Sequence, residues 1–296
     1  MPPVRKVPEL SGFLRRLRGG SQPVLAIASD GACYVVKFSN QPQGPNVLFN
    51  ESIGAELYRL AKLFVAAWTP LKITQRFADE NRGCWIETEH GFEPPRAGLC
   101  FGSYYLGGCK GLPLFELLPE NWYARIRNRD EFWLAWLLDL CASHTDNRQA
   151  VFCKGLDGKY SAFFVDHGHM FGGPRGQDRG SVALPAYLDR RIYPLLTSTD
   201  AERLSRRVVT TDFDRLWNEA QALPEEWRTA TALDRLAEAL ETLSRLRSIE
   251  SVLGTLILQQ HQADMSIQNG RPNRRKPAYS VMCSRLEPVI NFGSAS

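Results

Sequence analysis

The chain has 296 residues, 44% of them hydrophobic and 23% charged, which suits a globular protein with a sizeable core and excludes disorder or a fibrous architecture over most of its length. With 36 Lys and Arg against 32 Asp and Glu, the net charge of +4 is too weak a field to nominate nucleic acid or an anionic membrane as the main partner. The seven cysteines are scattered singly with no Cys-x-x-Cys pair, and read as reduced, mostly buried thiols of a cytoplasmic protein.

Residues 1–20 carry Arg5, Lys6, Arg15, Arg16 and Arg18 without the apolar run of an export signal, and read as an N-terminal extension. The first structured segment reads as a hairpin. Val24 to Ala28 is one strand, Ser29-Asp30-Gly31 the turn, and Ala32 to Phe38 the second strand, with Lys37 near its end. A loop rich in Pro, Gly and Asn follows from Ser39 to Asn46. Helical spacing of Ile53, Leu57, Leu60 and Ala61 then predicts a helix over Glu51 to Leu63. Leu71 to Phe77, Cys84 to Thr88 and Leu99 to Leu106 read as short strands separated by Gly and Pro. The front third is thus a small sheet carrying one helix, a lobe spanning residues 21–111.

From Pro113 the chain becomes mainly helical, a second lobe spanning residues 112–261. Helices are predicted over Leu114 to Leu118, Asp130 to Ala142, Pro185 to Leu196, Ala201 to Arg207 and Asp212 to Ala222. Phe132 to Ala142 is the longest apolar stretch, interrupted by Asp139 and short of the roughly 20 residues a membrane span needs. A further helix is predicted from Pro224-Glu225-Glu226 through Leu233, Leu236, Leu240 and Leu243, a core stripe. One hairpin interrupts the helices: Ala150 to Cys153 and Ser161 to Val165, joined through Gly155-Leu156-Asp157-Gly158. Residues 262–296 lose periodicity and read as a mobile tail, with the basic cluster Arg274-Arg275-Lys276 as a solvated run.

The polar residues flanking that hairpin carry the chemistry. Ser143 to Gln149 leads in, with Asp146, Asn147 and Gln149, and Asp166-His167-Gly168 leaves it. Two acids at adjacent strand ends are what phosphoryl transfer asks for: one carboxylate to orient a hydroxyl and one to hold a metal. A lysine on a small sheet, Lys37, followed by a helix bearing an acid, Glu51 or Glu56, supplies a cation for nucleotide phosphates. Arg148 suits either a phosphate contact or an ion pair. His144, His167 and His169 also allow a zinc reading, against which no cysteine spacing speaks for a closed tetrahedral site.

These residues resemble the HipA-like kinases, a family with the protein-kinase-like fold. The resemblance rests on Tyr34-Val35-Val36-Lys37-Phe38, Asn50-Glu51, Asp139, His144 to Phe152, and Phe164-Val165-Asp166-His167-Gly168, and spans roughly residues 24–260. It implies an α+β bilobal fold and an ATP-dependent, magnesium-requiring kinase. By that resemblance Lys37 holds the α and β phosphates, Glu51 pairs with Lys37, Asp146 is the catalytic base, and Gln149 and Asp166 bind Mg²⁺. Asn147 is the alternative metal ligand. The implied acceptor is a protein Ser/Thr hydroxyl, with a small-molecule hydroxyl as the alternative, and an antitoxin-like regulator is a candidate partner. His144 stands where the family pattern has Asn, and His167 where protein kinases carry an aromatic. The absence of a clean Gly-x-Gly-x-x-Gly loop leaves Asp30-Gly31 or Gln41 to Asn46 to cover the phosphates, and motivates a third reading, a nucleotide-binding pseudokinase acting as an interaction module.

Overall fold

The computed structural model describes residues 7–108, 113–177 and 187–268. Its N-terminal part is one antiparallel sheet built from β1 (Leu10–Arg16), β2 (Val24–Ala28), β3 (Cys33–Lys37), β4 (Trp68–Ile73) and a later strand. Between β3 and β4 lies α1 (Val47–Leu60), with every residue from Val47 to Tyr58 buried. After β4 come α2 (Gln75–Glu80), the small hairpin of β5 (Ile86–Thr88) and β6 (Gly91–Glu93), and β7 (Gly98–Tyr104). The sheet order is β1-β2-β3-β7-β4. The structure departs from the sequence reading at several points, α1 among them, which starts at Val47 rather than Glu51. Residues 10–16 are not an extension but the edge strand of this sheet, paired with β2. The strand predicted to Phe77 ends at Ile73, because the Thr74 hydroxyl accepts from the Phe77 amide and starts α2. Pro70 is tolerated inside β4 because that strand is at the sheet's other edge.

The C-terminal part begins with β8 (Leu114–Phe115), followed by α3 (Glu131–Cys141) and the hairpin of β9 (Gln149–Lys154) and β10 (Tyr160–Val165). Then come α4 (Ser198–Val209), α5 (Phe213–Gln221), α6 (Ala230–Arg245) and α7 (Ile249–Gln268). The helix predicted over Leu114 to Leu118 is instead β8, which adds a third strand beside β9. A five-residue run between Pro113 and Pro119 is too short to repay helix nucleation. The helix predicted from Pro224 is broken: a 3₁₀ turn at Glu225–Trp227 buries Trp227, and α6 starts afresh where the Thr229 hydroxyl accepts from the Ala232 amide. Along α6, Leu236 and Leu243 are buried and Leu233 and Leu240 pack partly against the same core, so the leucine stripe is a core stripe. The helix α7 continues to Gln268, into the stretch predicted as tail. Arg274-Arg275-Lys276 and the start of the segment predicted as a helix from Pro185 lie outside the described residues.

Two apolar clusters hold the molecule together. The smaller sits in the N-terminal sheet, with Val24, Ala26, Tyr34, Val36, Leu71, Ile73 and Phe77. The larger runs from α1 through α3, β9 and β10 into α4 to α7. Thus α1 belongs by packing to the helical part, while Lys37 reaches it from the sheet. No helix among the described residues is long and apolar enough to cross a membrane. The expectation of reduced thiols holds at Cys84, Cys100, Cys141 and Cys153, which are free, and fails at Cys33, which is disulfide-bonded.

Candidate active site

The site forms where three elements end. Lys37 is the last residue of β3, Glu51 lies in the first turns of α1, and Asp166 follows the last residue of β10. Lys37 Nζ stands 2.5 Å from Glu51 Oε1 and 2.7 Å from Asp166 Oδ1. The second Asp166 oxygen accepts from Gln149 Nε2 at 2.9 Å, and Gly168 N donates to Glu51 Oε1 at 2.7 Å. Glu56, the competitor of Glu51 in the sequence, pairs with Arg59 on its own helix. Four of the five predicted residues, Lys37, Glu51, Gln149 and Asp166, are therefore one hydrogen-bonded network.

Burial disfavours the Lys37 ammonium, but the Asp166 and Glu51 carboxylates outweigh it and raise its pKa above the ordinary lysine value. The two acids then diverge. Burial pushes the Glu51 carboxyl up, against the pull of Lys37 and helped by the like charge of Asp166. At Asp166 the burial penalty is overcome by the Lys37 charge, and its carboxyl is held below the usual carboxylate range. Asp166 thus remains an anion, as a ligand for a hard cation must be.

Asp166 also adopts a left-handed backbone, φ 60°, uncommon for a residue with a side chain. Arg148 supports that turn by donating through Nη1 to the Val165 carbonyl at 2.8 Å. The rest of the Arg148 guanidinium is spent on Asp139: Nε to Oδ2 at 2.8 Å and Nη2 to Oδ1 at 2.6 Å, with the Tyr58 hydroxyl also donating to Asp139 Oδ1 at 2.7 Å. Arg148 is 2% exposed, so the choice between phosphate contact and ion pair falls to the ion pair. Asp139 needs such a partner, since it lies in a helix buried on every face.

Asp146 sits half-buried in the loop between α3 and β9, its Oδ1 accepting from the Asn147 amide at 2.7 Å. His144 Nδ1 faces the Asp146 carbonyl at 2.7 Å and helps shape that loop. The loop is laced to the segment after Asp166: Thr145 N donates to the His169 carbonyl at 2.9 Å and Phe171 N to the Ala142 carbonyl at 2.7 Å. The structure therefore brings the Asp146 loop beside the network, though Asp146 makes no hydrogen bond to its members. Asn147 is exposed, and Gln149 is the amide that reaches Asp166. No group of three or more His, Cys, Asp and Glu among the described residues is arranged to hold a metal, so the zinc reading of His144, His167 and His169 has no support.

Of the two phosphate-covering loops expected from sequence, Asp30-Gly31 is at the wrong end. Ile27 pairs with Cys33 and Val24 with Val36, so that turn lies at the opposite end of the hairpin from Lys37. The loop at Lys37's end is residues 17–23, with Arg18-Gly19-Gly20-Ser21, which the sequence reading misses. It meets the other expected loop there, since a β-carbon placed on Gly20 would stand 2.5 Å from Gln43 Nε2. That nitrogen also lies 3.0 Å from His169 Nε2. Behind the Lys37–Glu51 pair is a cavity of about 30 Å³ lined in part by Ala55, Phe101, Ser103 and His167. A larger one, about 450 Å³, lies away from this chemistry among Glu120, Tyr123, Arg129 and Arg191. Its arginines are engaged, Arg191 with Asp189 and Glu120, and Arg129 with the carbonyls of Arg191 and Ile192.

No known family model matches the chain, and neither does any curated protein. Among solved structures it is similar to the proinflammatory kinase CtkA of Helicobacter pylori, with a TM-score of 0.53 at 11% identity, covering 85% of this chain and 99% of that one. At that identity the likeness shows the fold: a sheet lobe followed by a helical lobe, in the kinase-like arrangement.

Proposed function

We propose that this protein is an ATP- and Mg²⁺-dependent phosphotransferase that moves the γ-phosphoryl group of ATP to a hydroxyl. The observation that carries it is the meeting of Lys37, Glu51 and Asp166 at one point between the two lobes of a kinase-like fold. The donor set fits magnesium: the Asp166 carboxylate and, after rotation of its amide, the Gln149 side-chain oxygen are hard ligands. Magnesium held there would neutralise charge on the phosphates. The rest of the work falls to side chains of this chain. Lys37, kept charged by its two carboxylates, holds the α and β phosphates, and Glu51 fixes the lysine's direction. The loop of residues 17–23 covers the phosphates with its backbone amides. Asp146 orients the acceptor hydroxyl and takes its proton as the oxygen bonds to the γ-phosphorus and the bond to the ADP oxygen breaks.

The resemblance to HipA-like kinases favours a protein Ser/Thr acceptor, and on the same ground we extend the proposal to a cytoplasmic setting and an antitoxin-like regulator. The test is incubation of the purified protein with Mg²⁺ and γ-labelled ATP, alone and with cell extract, beside Asp146→Ala. Label transfer by the wild type should fall by about 10² or more in the variant, with the Mg-ATP melting shift retained. Equal transfer by Asp146→Ala would sink the role of Asp146. A melting shift with no transfer by the wild type would point instead to the pseudokinase.

A further inference from the structure

We infer that Asn50 is a positioning residue that ties α1 to the segment after Asp166, so that the Lys37–Glu51 pair and the metal-binding carboxylate are held as one unit. Asn50 is fully buried and immediately precedes Glu51. Its Nδ2 lies 3.0 Å from the Gly168 carbonyl, 2.7 Å from that of Met170 and 3.1 Å from that of Gly173. Two amide hydrogens thus serve three acceptors, and those acceptors fix which end of the side chain is nitrogen. The Oδ1 atom, buried, has no hydrogen-bond partner among the described residues. A buried amide kept at that cost is placed for what its nitrogen holds.

What it holds is a left-handed curl, closed on itself by Gly173 N donating to the Met170 carbonyl and tied to the loop after α3 through the amides of Phe171 and Gly172, and joined to α1 through Asn50. Phe171 sits at φ 54° and Gly172 and Gly173 at φ 77° and 82°, and Asn50 grips the carbonyls on either side, at Met170 and Gly173. The same face of α1 then closes on residues 167–170. Glu51 accepts from the Gly168 amide, and a β-carbon on Gly54 would stand 2.6 Å from both His167 Cβ and Met170 Sδ. Gly54 is four residues from Asn50 and three from Glu51, so it lies between them on that face. Movement of α1 therefore drags the Asp166 turn with it, and a metal ligand displaced by a fraction of an ångström loses its geometry.

The consequence for metal use rests on the phosphotransferase reading, while the tie itself is tested without it. The probes are Asn50→Ala, which removes the nitrogen, and Gly54→Ala, which wedges the same interface, each compared with the wild type by amide hydrogen exchange, thermal melting and Mg²⁺ titration of phosphate transfer. In Asn50→Ala, exchange of the amides of residues 167–173 should rise by about tenfold, the equivalent of one or two lost hydrogen bonds, while that of β2, β3 and α3 stays unchanged. The Mg²⁺ concentration for half-maximal transfer should rise by about tenfold with the rate at saturating Mg²⁺ largely kept. Gly54→Ala should reproduce both effects. Unchanged exchange at residues 167–173 in either folded variant, or a rise spread evenly over the chain, overturns the tie. If Asn50→Ala does not fold, Gly54→Ala decides on the same readouts. Absence of transfer by the wild type would sink the phosphotransferase reading and leave the exchange result to decide the tie.

Discussion

Gln149 and Lys37 grip the two oxygens of one carboxylate: Gln149 Nε2 lies 2.9 Å from Asp166 Oδ2 and Lys37 Nζ 2.7 Å from Asp166 Oδ1. The amide presents its nitrogen to the acid, so its oxygen is the atom left for a cation once the side chain turns over. Gln149→Ala should raise the Mg²⁺ requirement for nucleotide binding by about 10- to 100-fold, and Gln149→Glu, which adds a charged oxygen, should lower it. Mg²⁺ titration of the ATP-induced melting shift measures both. Identical curves for all three proteins would remove Gln149 from the metal site.

Among the described residues Lys37 is the one cation in contact with both the buried Glu51 and the half-buried Asp166, so its loss reaches further than the proposed phosphate contact. Lys37→Met takes the cation from Glu51 and Asp166 at once, leaving them the Gly168 and Gln149 amides, and should destabilise the fold by about 3 kcal/mol. Glu51→Gln should cost about 1 kcal/mol, because burial already disfavours the Glu51 anion and Lys37 keeps Asp166. Urea unfolding gives both values, and a larger loss in Glu51→Gln than in Lys37→Met would contradict this ordering.

Much of this site is legible in the sequence because its residues lie at the ends of regular strands. Lys37 and Asp166 each end a short apolar run bounded by turn residues, and Gln149 opens one. Residue type and helical spacing alone do not separate Glu51 from Glu56; the resemblance favours Glu51, and Lys37 contacts that one while Glu56 pairs with Arg59. The loop of residues 17–23 is hidden for a different reason. β1 carries register shifts between Leu10 and Gly12 and between Phe13 and Arg15, which break the alternation that would announce a strand, so the Gly-Gly turn after it reads as part of an extension. Asn50 enters the sequence reading only beside Glu51 in the resemblance, and its contacts are hidden for a third reason, since a buried amide serving a distant curl has no periodic signature.

Arg148 and Asp139 form a bidentate pair with side chains 1% and 0% exposed. Breaking it from one side strands a charge in the core, so Arg148→Met and Asp139→Leu should each cost about 3–5 kcal/mol. The double substitution should cost less than the sum, since no unpaired charge remains. Arg148→Lys should restore little, because a point charge cannot make the two-pronged contact and also reach the Val165 carbonyl. A denaturant double-mutant cycle checks this, and strict additivity would show that the pair does not act as a unit.

The buried histidines set an acid limit. His144 and His167 each have a ring Nε2 without a hydrogen-bond partner among the described residues. Burial pushes His144 down to about 4, and burial together with the Arg148 charge holds His167 well below the ordinary histidine range. In the unfolded chain both protonate near 6.5. Between about 6.5 and 4 the unfolded chain therefore binds protons that the folded one refuses. Stability is full above that window and falls as pH drops through it, by about 1.4 kcal/mol per pH unit for each histidine. The raised carboxyl of Glu51 acts with the opposite sign, taking a proton more readily when folded, and offsets part of the loss. Asp166 and Asp189, both depressed, lose their contribution only below the ordinary carboxylate range, outside this window. The melting temperature should thus fall between pH 7 and pH 5, and His144→Asn should flatten that slope by about half even if it lowers the melting temperature at pH 7. An equally steep slope in His144→Asn and in the double variant with His167→Asn would assign the acid limit to other groups.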